Sequence, residues 1–346
     1  MVTRQKNQLS GDQTRICNPR DIRPLDYEGM DSIPSKLRHL LNYAVLAPST
    51  HNTQPWLFRV SDKTIDVLAD RSRALAVIDP DDKSLVMSCG VASGVLAMAL
   101  EAVGFQFQVA HLPDSSEPDL ISRFNITSEG ERKDDWKETL NAIRLRRSVR
   151  AGYKNKVFQE SELESILPKN LKAGCQIKLI NSSENEVSVL NAILEAENFR
   201  QADKHYVREN ASWINPIRRR SKDGIPTSQE KMPTLGQLWS PDAIFNQKGE
   251  RLTLVGVFES QGNRTIQWIR SGFLMADVLV QASRMGMSAA IINHPLHIPS
   301  IYNSIERVIS EGWTAQIIVR FGFAEHAPVT PRRSLLDVML HPGFNT

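Results

Sequence analysis

From Leu37 onward, the apolar residues Leu37, Leu40, Leu41, Ala44 and Val45 fall at i, i+3, i+4, i+7 and i+8, one face of a helix that must end before Pro48. Asp31, Ser32 or Ser35 can cap its start. Trp56 to Val60 and Thr64 to Ala69 read as short strands joined by the turn-like Ser61-Asp62-Lys63. A second helical face, Ala92, Val95, Leu96, Ala99, Leu100 and Val103, is stopped by Gly104, and Phe105 to Ala110 follows as a strand. The most apolar stretch, 86–100, is shorter than the ~20 residues that cross a bilayer, so it predicts a buried core helix.

The same signals return. Ser161, Leu163, Ile166, Leu167 and Ala173 sit 126 residues after Ser35, Leu37, Leu40, Leu41 and Ala47, and Gln176 to Ile180 extends as Trp56 to Val60 does. Gly272 and Gly286 flank an apolar helix as Gly90 and Gly104 do, each 182 positions later, with Ser271 and Cys89 preceding the first glycines. The two offsets differ because the second repeat carries more residues, chiefly 181–250, of which Val187, Leu190, Ile193 and Leu194 are helical in spacing. Residues 215–250 hold four prolines and three glycines and no period, the character of a lid; Leu235, Leu238 and Trp239 give it apolar anchors. The expected organisation is a polar N-terminal arm (1–30) without chemistry, a first half (31–140) and a second half (141–346) containing the lid.

Composition narrows the classes. Of 346 residues, 41% are hydrophobic and 23% charged, which suits a globular chain and excludes wholesale disorder. A net charge of +3 is too small to argue for nucleic acid or a membrane surface, so neither partner is expected. Cys17, Cys89 and Cys175 are scattered, without a CxxC pair, and residues 1–15 contain no apolar core, which together predict a reducing, cytoplasmic setting. His294 and His297 are separated by Pro295 and lack carboxylate or thiolate partners at ligand spacing, so no metal site is expected. GxSxG, GxxxxGK[ST] and GxGxxG are all absent.

What remains is local positive charge in a nearly neutral chain. One cluster is Arg144, Arg146, Arg147, Ser148 and Arg150 in IRLRRSVR; the other is Arg332, Arg333 and Ser334 in TPRRS, after the strand-like IIVRFGF. Guanidinium groups meet phosphate oxygens two at a time and a serine hydroxyl adds a donor, so these residues suit a phosphomonoester; a solvated helix face and a basic tail are the plain alternatives. A third segment, APSTHNTQPW (47–56), sets Ser49, Thr50, Asn52 and Gln54 on a loop restricted by Pro48 and Pro55. Such a loop can bond a heterocycle edge or a polyol, or simply its own backbone.

These segments together resemble a known family. APSTHNTQPW is similar to the PSSxNxQPW loop of nitroreductase-fold flavoproteins, and RRSVR to their RxSxR opening. The later helix from Ser271 to Met285, the segment Ile292 to Pro295, the strand Ile317 to Phe323 and the arginines before LLDVM keep the family's order. The duplication, DRSRALAVIDPDDKSLVMSCG and Asp223-Gly224-Ile225-Pro226 resemble the Acg-type branch, and the likeness runs over residues 35–340. It implies an α+β, nitroreductase-like fold in which two related halves of one chain form a pseudo-dimer. FMN would be the cofactor, with NAD(P)H as the family's electron donor and a small molecule as acceptor. Transferred by position, Arg146, Ser148, Arg150, Arg332 and Arg333 would hold the phosphate. Pro48, Ser49, Thr50 and Asn52, with Gln54 as a weaker candidate, would line the ring, and backbone NH groups near Asn293 and His294 would approach flavin N5. The second half has only LKAGCQ where the loop would recur, and the first only Asn18-Pro19-Arg20-Asp21-Ile22-Arg23 where RxSxR would recur. This complementary loss predicts one flavin site per chain and a pseudo-dimeric monomer, able to associate further as a homodimer. The resemblance implies an FMN-dependent oxidoreductase; for the Acg branch it also implies flavin sequestration under a lid, and a third reading is a paralogue that has lost its cofactor.

Overall fold

A computed structural model of the chain describes residues 19–149, 153–154, 156–168, 174–180, 182–226, 253–325 and 329–340. The strands of the first half are β1 (Trp56–Val60), β2 (Thr64–Ala69), β3 (Phe105–His111) and β4 (Leu120–Glu129); those of the second are β5 (Cys175–Leu179), β6 (Thr253–Ser260), β7 (Ser288–Ile291) and β8 (Thr314–Gly322). They form two antiparallel sheets ordered β1-β2-β4-β3 and β5-β6-β8-β7. The same rank order in both is the repeat made visible: the architecture is α+β, built from two equivalent halves.

The helices are α1 (Ile33–Ala44), α2 (Lys83–Ala102), α3 (Trp136–Leu145), α4 (Glu160–Ser165), α5 (Ser183–Gln201), α6 (Lys204–Trp213), α7 (Thr265–Arg284), α8 (Pro299–Glu306) and the single turn α9 (Leu335–Val338). Ser32 caps α1 by accepting from the Ser35 backbone N–H, one of the three predicted caps. The expected boundary at 140/141 falls inside α3. Several described residues of the expected arm pack inward, with Ile22 and Tyr27 wholly buried. Most of the lid, 227–250, lies outside the described residues.

Helices α2 and α7 pack against each other through the middle of the molecule. Gly90 and Gly272, read from the sequence as helix boundaries, lie inside these helices, which begin seven residues earlier. Their task is close approach: a Cβ on Gly90 would sit 2.5 Å from the Ile269 carbonyl oxygen, and one on Gly272 would strike the Met87 carbonyl. Gly104 and Gly286 do end the helices, at φ +93° and +75°, where a side chain would be strained. Helix α2 is long and apolar enough to cross a membrane, but is mostly buried in the protein.

The extra residues of the second half have a structural use. In β8, Ile317, Val319 and Phe321 face the core shared with α7, while Ile318 faces a second core with Val189, Ile193, Ile301 and Ile305. The first sheet instead presents charge on its other face, where Asp66 accepts from Arg59 and Arg123. Helices α5 and α8 thus cover a surface that the first half leaves polar.

Two crossings bring the halves together around one place. After α3, Val149 donates to the Ala289 carbonyl at 3.0 Å, placing residues 148–149 along the edge of β7. After β8 the chain returns to the first half, where Leu340 donates to the Phe58 carbonyl of β1 at 2.8 Å. Residues 329–340 therefore pass over the polar loop between α1 and β1.

Candidate functional site

The loop after α1 is held in an unusual shape. His51, Asn52 and Gln54 have φ of 51°, 56° and 53°, left-handed values that cost on the order of 1 kcal/mol or more each and need surrounding support. Some support is local: the Asn52 N–H donates to the Ser49 carbonyl at 3.0 Å and the Gln54 N–H to Ser49 Oγ at 2.9 Å. The rest comes from the second half. Asn52 Nδ2 donates to the carbonyls of Gly224 (2.8 Å) and Pro331 (3.0 Å), and its Oδ1 accepts from Arg332 at 2.7 Å. Gln54, fully buried, donates to the Lys222 carbonyl at 2.9 Å and accepts from the Arg333 N–H at 2.8 Å. His51 Nε2 donates to Asn210 Oδ1 at 2.7 Å. Asn52 and Gln54 thus spend their amides on the protein itself, leaving half-buried Ser49 and Thr50 as the accessible polar side chains beside buried Pro48.

The predicted arginines converge on this loop. Arg146, buried at the end of α3, donates to Ser148 Oγ at 3.2 Å and to the Leu46 carbonyl at 3.1 Å. Arg332, also buried, donates to the carbonyls of Leu46 and Ala47, both at 3.3 Å, and to Thr330 Oγ1 at 2.8 Å. Thr330 receives a further cation: Arg20 donates to its carbonyl (3.0 Å) and its hydroxyl (3.1 Å). Arg147 donates to the carbonyls of Arg144 (2.7 Å) and Arg146 (2.9 Å). Among the described residues, no carboxylate forms an ion pair with Arg146, Arg147 or Arg332, and the buried Nε of Arg332 has no hydrogen-bond partner.

Electrostatics registers the crowding. Burial, then Arg147, pushes Arg146 down to about 10, and burial, then Arg147 and Arg146, takes Arg20 to about 9. Burial and the three neighbours Arg20, Arg146 and Arg147 hold Arg332 well below the ordinary guanidinium value. Like charges are gathered on neutral oxygens, a configuration that an anion relieves. Arg333 differs, because it pairs with Asp70 at 3.1 Å and donates to the Gln54 and Asp337 carbonyls, so its charge is matched and it braces the loop. Arg150 lies outside the described residues.

Asn293 and His294 stand at the end of β7, beyond the residue that Val149 joins. Asn293 Oδ1 accepts from the Ile318 N–H at 3.3 Å, and His294 Nε2 lies 4.0 Å from Glu197. Their turn reaches the first half through His297, whose Nε2 is 3.4 Å from Ser84 Oγ near the start of α2; burial, with Arg200 and Lys83, lowers this imidazole to about 3. Further along α2, Cys89 donates to the carbonyl of Pro55, the residue closing the polar loop, at 3.0 Å. No described contact joins Asn293 or His294 directly to the arginines.

Two features escaped sequence reasoning. Arg20 lies in the degenerate counterpart of RxSxR, to which the sequence assigns no role. The other is a clamp in which Asp223 pairs with Arg73 and, at 2.6 Å, with Arg218, both guanidinium groups lying over the Trp213 ring. The Asp223-Gly224 run stands out in the sequence, but nothing there marks its partner 150 residues away.

No protein-family model matches the chain. The Mycobacterium tuberculosis H37Rv protein Rv3131, named as an NAD(P)H nitroreductase, is 26% identical over 324 residues, covering 88% of this chain and 91% of its own. The acg protein of the same strain, named likewise, is 23% identical over 315 residues, covering 87% and 94%. The chain resembles the Acg-type nitroreductases across both halves. An FMN-bound nitroreductase from Bacteroides fragilis covers 60% of this chain and 97% of its own at 15% identity, with a TM-score of 0.36. That overlap is too loose to bear on the fold, which stands on the repeated strand order. The Acg-type likeness, by contrast, runs over nearly nine-tenths of the chain.

Proposed function

We propose that the chain is an FMN-dependent oxidoreductase of the nitroreductase type with a single flavin site at the seam between its halves. The observation that carries this reading is the set of guanidinium groups, Arg146, Arg147 and Arg332, turned onto neutral carbonyls and hydroxyls with no carboxylate among the described residues. A phosphomonoester brings up to about two negative charges and several acceptor oxygens, and so fits both the unmatched charge and the partnerless Arg332 Nε. Arg146, Ser148 and Arg332, with Arg150 beyond the described residues, would hold the phosphate. Arg333, neutralised by Asp70, would act through the loop.

Pro48, Ser49 and Thr50 would meet the ring, while Asn52 and Gln54 fix the loop's left-handed course so that those residues stay in place. Asn293 and His294 would present backbone NH groups to the ring's reactive edge from the end of β7. Bound FMN supplies reversible hydride and electron transfer between a donor, NAD(P)H in the names of the relatives, and a small acceptor. The chain's part is to bind, orient and exclude water.

A second reading, sequestration of the flavin, draws support from the clamp. Residues 222–224 are tied to the loop by Gln54, Asn52 and Arg73, which covers the loop from the second half. Purified protein should be yellow and release FMN on denaturation, and a colourless protein that takes up no flavin would overturn both readings. Anaerobic stopped-flow mixing with NADH and NADPH divides them. Bleaching of the flavin within seconds supports the oxidoreductase, and an oxidised spectrum unchanged over minutes supports sequestration.

A further inference from the structure

We infer that the N-terminal segment ahead of the first half supplies a further guanidinium, Arg20, to the anion site, so that a bound phosphomonoester is gripped from both ends of the chain. The inference rests on the phosphate reading given above. Nothing about the local sequence leads there: position alone would make Arg20 the first half's counterpart of Arg146, serving a second, pseudo-symmetric site. The structure takes it elsewhere. The short turn Pro19–Asp21 is anchored by Ile22, wholly buried in the main core, and Asp21 is exposed while Arg20 turns inward.

There Arg20 meets a residue 310 positions away in the chain. Its Nε and NH2 donate to the carbonyl and hydroxyl of Thr330, and the same hydroxyl accepts from Arg332. Arg332 and Arg146 both donate to the Leu46 carbonyl. Three guanidinium groups from three parts of the chain are thereby linked through two neutral oxygens. An oxygen shared by two cations satisfies their hydrogens and leaves their repulsion in place. A dianion near Thr330 and Leu46 would remove that repulsion for all three at once. Its loss should loosen the turn that carries Arg20, which is flanked by the exposed Asp21 and Arg23.

Flavin affinity on the full-length chain, stripped of cofactor, tests this. FMN and riboflavin differ only in the phosphate, so the ratio of their dissociation constants isolates the anion site. The wild type should favour FMN strongly. Arg20→Met should weaken FMN roughly 10- to 100-fold, leave riboflavin within about twofold, and be partly rescued by Arg20→Lys. An unchanged ratio in Arg20→Met overturns the inference while leaving the phosphate site of Arg146 and Arg332 standing. A wild type that does not discriminate at all removes that site and this inference together. Limited trypsin digestion of the wild type needs no variant: FMN, and not riboflavin, should slow cleavage after Arg20, whose side chain must leave the site to enter the protease, and equal cleavage with either flavin would also overturn the inference.

Discussion

Arg332 donates to Asn52, Thr330, Pro331, Leu46 and Ala47, and among the described residues its buried Nε–H still finds no acceptor. It therefore has two tasks that one substitution separates. Arg332→Met should weaken FMN by about 10- to 100-fold, the worth of a charge-assisted contact of ~1.5–3 kcal/mol. It should also lower the stability of the flavin-free protein, because the carbonyls of Leu46 and Ala47 lose a donor; calorimetry without flavin checks the second effect and titration the first. Histidines make a separate prediction about acid. His39, packed between Tyr27 and Tyr43, is pushed by burial to about 4, and His297 to about 3. Both folded values lie below the unfolded one, so between pH 6.5 and 4 the unfolded chain binds more protons and stability must fall as pH falls. Denaturant midpoints of the wild type should drop over that window, and His39→Phe should flatten the slope by nearly one proton.

At the scale of elements, the two long helices decide the shape. Gly272→Ala places a methyl against the Met87 carbonyl, which only a shift of α2 against α7 can relieve, so a loss of about 1–3 kcal/mol in urea unfolding is expected. The clamp is testable without flavin. Asp223→Asn removes the charge shared by Arg73 and Arg218, and trypsin should then cut after Arg218 or Lys222 several times faster with little change in melting temperature. Much of this level was legible beforehand: helix period, strand alternation and the recurring glycines lead to α1, α2, β1, β2, β3 and β8, and equal glycine spacing reveals the repeat. Less legible was what each glycine does, because a helix-crossing glycine and a helix-ending one look alike until the partner helix is known. The polar loop was found by composition, but Asn52 and Gln54 turn inward, toward carbonyls contributed by residues some 170 and 280 positions later. Arg20 was legible only as a remnant of RxSxR in the first half; that it turns to Thr330, 310 positions away, was not, because nothing near it in sequence points there.

At the scale of the whole molecule, duplication would explain the proposed single flavin site per chain. Each half keeps what the other lacks: the loop belongs to the first, Arg146 and Arg332 to the second, and the crossings at 148–149 and 329–340 bring them together. Helices α5 and α8 bury the second sheet's far face, and residues 213–223 join Arg73 in the clamp, so the asymmetry between halves has a packing consequence and one for the polar loop. Titration of the flavin-free chain with FMN, followed by quenching of flavin fluorescence at low and high salt, tests this most directly. Binding should saturate at one FMN per chain, weaken as salt rises, and exceed that of riboflavin by a factor of at least about 10. Saturation at two per chain, or equal affinity for the two flavins at every salt concentration, would contradict it.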